Sequence, residues 1–209
     1  MIELYTWGTP NGRKVSIALE EMELDYTVFP IDISKGEQFD PEFLKIAPNN
    51  RIPAIRDTET GLAMMETGAI LIYLAEKTGR FMPTDPAGRM ATIEWLMWQM
   101  GGLGPMLGQV HHFTKYNPDA SDYARKRYED EARRLYGVLD RRLADREYIV
   151  GNYSIADMAA WPWISRYDWQ EIDLDEFPAV KRWYLAIADR PAVQRGYDVP
   201  FKVQDIPRP

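Results

Sequence analysis

The segment Pro48-Asn49-Asn50-Arg51-Ile52-Pro53-Ala54-Ile55, with Met65-Glu66-Thr67-Gly68-Ala69-Ile70-Leu71-Ile72-Tyr73-Leu74 shortly after it, decides the fold class of this chain. The polar run Pro48–Arg51 is a break, and Pro53–Arg56 and Leu62–Met65 read as strands flanking the turn Thr58–Gly61. Glu66–Thr78 reads as a helix, with Lys77 in its last turn and Gly79 as its stop. Upstream, Ile2–Thr6 is a short apolar run with Ile2, Leu4 and Thr6 on one face, which predicts a strand. After a Thr9-Pro10-Asn11-Gly12 turn, Val15, Ala18, Leu19 and Met22 recur at helical spacing, with Glu20, Glu21 and Glu23 expected outside. Tyr26–Ile31 is a further strand, and strand, helix and strand in succession imply a parallel, right-handed crossover. Ser34–Pro41 reads as a loop and Pro41–Ile46 as a short helix.

Downstream the period changes. Pro83–Pro86 is a proline-containing linker, and every later pattern is helical: Ala87–Phe113 and Asp122–Leu143 are long, Ile155–Tyr167 and Pro178–Asp189 shorter. The expectation is an α/β domain over residues 1–80, a linker over 79–86 and an all-helical domain over 87–209. Ser154-Ile155-Ala156-Asp157 is a capping box opening an apolar helix, flanked by Tyr153 and Met158 where a hydrophobic staple would sit. Gly101-Gly102-Leu103-Gly104-Pro105 has no strand before it, so it reads as a bend or close packing within a helix rather than a phosphate loop.

Composition narrows the chemistry. The 209 residues carry 32 acidic and 25 basic side chains, a net charge of -7, which disfavours non-specific nucleic-acid binding. There is no apolar run of the roughly 18 residues that a membrane span needs, and Met1–Gly8 does not read as a signal peptide, so a cytoplasmic protein is expected. Cysteine is absent, which removes disulfides, thiolate metal sites and any protein thiol nucleophile. The two histidines, His111 and His112, are adjacent and point about 100° apart on a helix, so they form no i,i+4 metal pair, and no metal is expected.

The succession of strand, T-P-N-G, helix, strand, N-N-R-I-P-A-I, strand, M-E-T-G-A-I-L-I-Y-L and N-Y-S-I-A-D-M resembles the cytosolic glutathione transferase superfamily over essentially the whole chain. T-P-N-G (9–12), S-K-G-E-Q-F (34–39), A-P-N-N-R-I-P-A-I (47–55) and G-G-L-G-P-M-L-G-Q-V-H-H-F (101–113) are similar to its nu class. The resemblance implies a thioredoxin-like first domain that binds glutathione as co-substrate. It implies a cis bond before Pro53, leaving the backbone of Ile52 to pair with the cysteinyl unit like an added strand. It assigns the γ-glutamyl end to Glu66 and Thr67 at the positive end of a helix, Thr67 on the carboxylate and Glu66 on the ammonium. Gln38 takes the glycyl end, and Arg127 is a further ligand contact, unless it is solvated like the nearby Arg125, Arg133 and Arg134.

The group that activates the thiol is expected just after the first strand. Serine and cysteine are absent from Thr6-Trp7-Gly8-Thr9-Pro10-Asn11, and Tyr5 lies inside the strand. Thr9 and Asn11 are therefore the catalytic candidates, as hydrogen-bond donors to a thiolate, and Asn11 also counts as a glutathione contact; the alternative is a turn doing backbone work only. Lowering a thiol from about 8.5 by about two units takes roughly 2.7 kcal/mol, within reach of two charge-assisted donors and a helix N-terminus. The nu-class resemblance implies glutathione-dependent reduction of disulfides, with bound glutathione thiolate as the nucleophile; the alternatives are conjugation to electrophiles against walls such as Trp7 and Phe113, and a non-catalytic scaffold. The resemblance also implies a homodimer through the third and fourth helices, with Trp95 and Trp98 as contacts unless they are core.

Overall fold

A computed structural model describes all residues, 1–209, and the chain divides into two units. The first comprises residues 1–82 together with 189–206, the second residues 83–188 with 207–209. The expectation of residues 87–209 as one helical domain thus meets a chain whose segment 189–206 groups with the first unit.

The first unit is built on a four-stranded sheet in the order β2-β1-β3-β4. Strand β1 (Ile2–Thr6) pairs in parallel with β2 (Tyr26–Pro30) and antiparallel with β3 (Ala54–Asp57), which pairs antiparallel with β4 (Ala63–Met65). The parallel pair needs a crossover, supplied by α1 (Pro10–Glu21). The expected turn before that helix is its first turn instead. Thr9 is the N-cap, its Oγ1 accepting from Gly12 N at 3.1 Å, and Pro10 takes the first helical position, where its missing N–H costs nothing. A Cβ on residue 12 would overlap the carbonyl oxygen of Trp7, so only glycine lets the chain turn this tightly into the helix. Helix α2 (Pro41–Leu44) is short, and α3 (Thr67–Thr78) ends at Gly79 in the left-handed conformation.

α1 is buried on nearly every side, from Gly12 through Leu19 and again at Glu21. This corrects the amphipathic reading, which put Glu21 in solvent. The cause is α9 (Pro191–Tyr197), a helix with no expected counterpart. Gly196 approaches so closely that an added Cβ would lie 2.6 Å from Ile17 Cα, and Ser16 Oγ donates to the carbonyl of Gly196 at 2.6 Å. Arg13 Nε donates to the carbonyl of Tyr197 at 3.1 Å with its guanidinium 3.5 Å over the Tyr197 ring. Arg190 meets Glu21 through two parallel bonds of 2.6 and 2.7 Å.

The second unit is helical. The expected Ala87–Phe113 helix is divided: α4 (Pro86–Trp98) and α5 (Gly104–His111) are separated by a π turn at Gln99–Leu103, and another follows at His112–Tyr116. Gly104 would put a Cβ 2.7 Å from Gln99 Nε2 and 3.2 Å from Trp163 Nε1, so the glycine-rich run serves close packing. Helix α6 (Asp122–Leu143) has the expected bounds. Helix α7 (Ile155–Ile164) stops short of Tyr167, which starts a separate 3-10 turn, and α8 (Pro178–Ala188) follows. The capping box forms as read: Asp157 Oδ2 accepts from the backbone N–H and the hydroxyl of Ser154, while Oδ1 accepts from Ile149 N and Trp183 Nε1. No helix is long and apolar enough to cross a membrane.

Candidate glutathione site

The sheet brings the head of α1, the loop before β3 and the head of α3 into one unit, and these carry most of the residues singled out in the sequence. Thr9 and Asn11 sit at the N-cap and second position of α1, both half-buried. The Thr9 oxygen is used as an acceptor for Gly12 N, which leaves its hydroxyl hydrogen to donate elsewhere. The first turn of α1 holds no acidic side chain, so nothing there competes with an anion for the positive end of the helix. Tyr5 is engaged otherwise: its hydroxyl donates to Glu3 at 2.9 Å and its ring stacks on Phe29, while burial, with Glu3 assisting, raises its pKa further. It is no source of protons for a thiolate.

Ile52-Pro53 is a cis peptide bond. The residues before it turn through Asn50, whose φ of 47° lies in the left-handed region that asparagine tolerates best among side-chain-bearing residues. β3 begins at Ala54 with Ile52 half-buried ahead of it, so the Ile52 backbone stands at the open end of a strand. Gln38 lies in the 3-10 turn Glu37–Phe39 that follows Gly36, and its Oε1 is buried without a hydrogen-bond partner. A buried amide oxygen in that state is costly unless something arrives to pair with it.

At α3, Glu66 is the N-cap with φ 70° and ψ 109°, a conformation a non-glycine residue adopts only at a cost. The Glu66 side chain is exposed and makes no capping bond, so the first amides of α3 are not closed off by it. Thr67 is buried, and its Oγ1 accepts from Lys14 Nζ at 3.3 Å. Lys14 was not singled out in the sequence. The usable signal was its company: Arg13 and Lys14 stand in the N-terminal half of a helix, where the dipole disfavours cations.

In the helical unit, Arg127 lines a cavity of about 510 Å³ with Met106, Tyr128, Asp130, Glu131 and Arg134. The neighbouring cations are all paired: Arg125 with Glu129 and Glu171, Lys126 with Asp130, Arg133 with Glu176 and Arg134 with Glu131. Arg127 forms no ion pair, which separates it from the residues it resembles in sequence. His111 is a core residue, stacked on Trp163 and bonded to Gln170 Nε2 at 3.1 Å; burial lowers its pKa to about 4. Trp95 and Trp98 pack edge to face at 5.0 Å, half-buried, with the Arg142 guanidinium over Trp95.

Residues 1–76 match the family described as Glutathione S-transferase, N-terminal domain, and residues 103–191 match Glutathione S-transferase, C-terminal domain. The chain belongs to the glutathione S-transferase family. Among its relatives in that family, Disulfide-bond oxidoreductase YfcG of Escherichia coli is 52% identical over 198 residues, covering 92% of each chain. A glutathione transferase from Burkholderia graminis, crystallised with two glutathione molecules bound per subunit, superposes with a TM-score of 0.90 at 45% identity, over 95% of this chain and 88% of that one. A glutathione transferase from Pseudomonas putida, with one glutathione disulfide bound per subunit, gives 0.91 at 44% identity, over 95% and 91%. The transferase fold is therefore present in both parts, as the sequence led us to expect.

Proposed function

We propose that this protein is a glutathione-dependent disulfide reductase in which bound glutathione supplies every reacting thiol. The observation that carries the reading is the absence of cysteine in a chain 52% identical to a disulfide-bond oxidoreductase. Its structural neighbours hold two glutathiones or one glutathione disulfide, the reactant and product of such a reaction. One glutathione thiolate attacks a substrate disulfide, forming a mixed disulfide and releasing one substrate thiolate, which takes up a proton. A second glutathione thiolate attacks the glutathione sulfur of that mixed disulfide, giving glutathione disulfide and the second substrate thiol. Two glutathiones are oxidised and one disulfide is reduced.

The residues take these roles. Thr9 and Asn11 hold the thiolate at the head of α1; Ile52, ahead of Pro53, pairs with the cysteinyl backbone. Gln38 receives the glycyl end, Glu66 and Thr67 the γ-glutamyl end, and Arg127 offers an unpaired guanidinium to a ligand carboxylate. The unpartnered Gln38 oxygen and the acid-free first turns of α1 and α3 support this reading. We place the protein in the cytoplasm, where glutathione is kept reduced, and assign it a homodimer in which Met90, Met97 and the two tryptophans of α4 form the contact. Met90 and Met97 are exposed side chains two turns apart. A sedimentation profile that stays at the 24.3 kDa of one chain at every concentration overturns the dimer.

The test is turnover of bis(hydroxyethyl) disulfide with glutathione, coupled to glutathione reductase and NADPH. Steady NADPH consumption is expected; conjugation of an aryl halide without disulfide turnover overturns the reading. Asn11→Ala should retain glutathione binding and lose turnover at least ~10-fold, about 1.4 kcal/mol of barrier. Unchanged turnover assigns the sulfur to another donor.

A further inference from the structure

Asn11 is followed by Gly12, and this pair occurs once in the chain, whose other asparagines precede Asn50, Arg51, Pro118 and Tyr153. Asparagine before glycine carries an internal reaction. The amide nitrogen of the glycine attacks the side-chain carbonyl carbon of the asparagine, forming a new C–N bond and closing a cyclic imide. The bond from that carbon to the side-chain nitrogen breaks, and ammonia leaves with the proton of the attacking amide. Water then opens the imide to aspartate or isoaspartate, with no change in oxidation state. Glycine permits the closure best because it has no side chain to obstruct it. Here no other residue can stand at the second position: a Cβ on Gly12 would lie 2.2 Å from Trp7 O and 2.5 Å from Thr6 Oγ1. The tight entry into α1 that requires Gly12 thus places the labile pair at the candidate thiol site.

The fold holds the reaction off through the attacking atom. Gly12 N–H donates to Thr9 Oγ1 at 3.1 Å. Thr9 is itself fixed, its N–H donating to Trp7 O at 2.7 Å and its carbonyl accepting from Arg13 N at 3.0 Å. Pro10 sets the backbone of the first helical position. At Asn11, the second position, the helical backbone tilts the side chain toward the N-terminus of α1, while Gly12 N lies on the C-terminal side. Closing the imide requires turning the Asn11 backbone out of the helical region, which breaks the bond between Gly12 and Thr9.

We propose that Asn11-Gly12 is a site of spontaneous deamidation latched by the Thr9 cap, so that activity decays as the first turn of α1 opens. The consequence for activity rests on the reading that Asn11 donates to the glutathione thiolate. Deamidation replaces that donor with a carboxylate, which only accepts, and sets a negative charge at the end of α1 where the thiolate is held. The first turn of α1 has no acidic side chain of its own, so the product supplies a competing anion where that turn has none.

The experiment incubates the full-length protein in mildly alkaline buffer and follows its tryptic peptide 1–13 by mass spectrometry, which reads an amide becoming an acid. In urea, Asn11 should convert faster than Asn49, Asn50, Asn117 and Asn152. In the native protein it should convert at least ~100-fold more slowly than in urea, by the factor that protects the Gly12 amide from hydrogen exchange. Thr9→Val should speed native conversion at Asn11 at least ~10-fold and leave the other asparagines unchanged. Thr9→Ser, which keeps the capping oxygen, should convert as slowly as the wild type. Conversion in Thr9→Val at the wild-type rate, or equal acceleration at every asparagine, overturns the latch. Should that variant fail to fold, a wild type that converts at the urea rate, or whose Gly12 amide is unprotected, overturns it alone. Disulfide turnover should fall in step with the modified fraction. Full turnover by modified protein overturns the reading of Asn11 as thiolate donor, whereas an unmodified Asn11 in urea overturns the modification site itself.

Discussion

Asp157 in the helical unit and Lys14 in the first unit are both charged side chains withdrawn from water, yet their surroundings differ in kind. Asp157 accepts four hydrogen bonds, from Ile149 N, Trp183 Nε1 and the backbone and hydroxyl of Ser154, and it belongs to the folding machinery. Burial still raises its carboxyl to about 6 against those four bonds. Lys14 is buried at the head of a helix, where its Nζ donates to the Thr67 hydroxyl oxygen, and burial lowers its ammonium to about 7. Burial thus opposes charge in both units, raising the carboxyl in one and lowering the ammonium in the other.

The sharpest way to break that contrast is to remove each group. Asp157→Ala strands four donors in a fully buried site and should cost about 4 kcal/mol or more by denaturant unfolding, whereas Lys14→Met, which removes an ammonium that burial disfavours, should cost far less. Equal losses would make both residues structural. A smaller effect tests what closes the first unit: Glu21→Ala leaves Arg190 without its two bonds of 2.6 and 2.7 Å and should cost about 2 kcal/mol by the same measurement. Wild-type stability there would mean that Arg13, Ser16, Gly196 and the Glu20–Arg195 pair hold α9 without it.

The smallest effects lie in the pH dependence of unfolding, where each unit has its own window. His111 falls from its ordinary value of 6.5 to about 4, so the unfolded chain binds more protons between those values. Stability contributed by the neutral imidazole is intact above about 6.5 and lost as pH falls toward 4, and His111→Gln should flatten this slope. Lys14 falls from 10.5 to about 7, so stability should rise with pH between those values, and Lys14→Met should abolish the rise. A slope that survives its substitution belongs to another group.

Much of the candidate site was legible because it is local. Thr9, Asn11, Ile52-Pro53 and Glu66-Thr67 lie at ends of elements, where caps, prolines and glycines announce themselves within a few residues. Arg127 was not separable from Arg125, Arg133 and Arg134 in the sequence, since what distinguishes it is the pairing of the others, two of which reach 46 and 43 residues along the chain. Lys14 was missed for the same reason: its partner is 53 residues away.

The sequence by itself determined the succession of strands and helices, the caps at Thr9 and Ser154, and a thiol chemistry that has to come from the ligand. Each of these follows from composition or from contacts within one helical turn. The tertiary structure alone decided that α9 returns to the first unit, burying Arg13 and Glu21 in a helix whose pattern reads as amphipathic. Arg13 finds Tyr197 184 residues on, and Glu21 finds Arg190 169 residues on. A hydrophobic pattern reports only the face a helix turns to its near neighbours, and a second face covered from so far along the chain leaves no period to read.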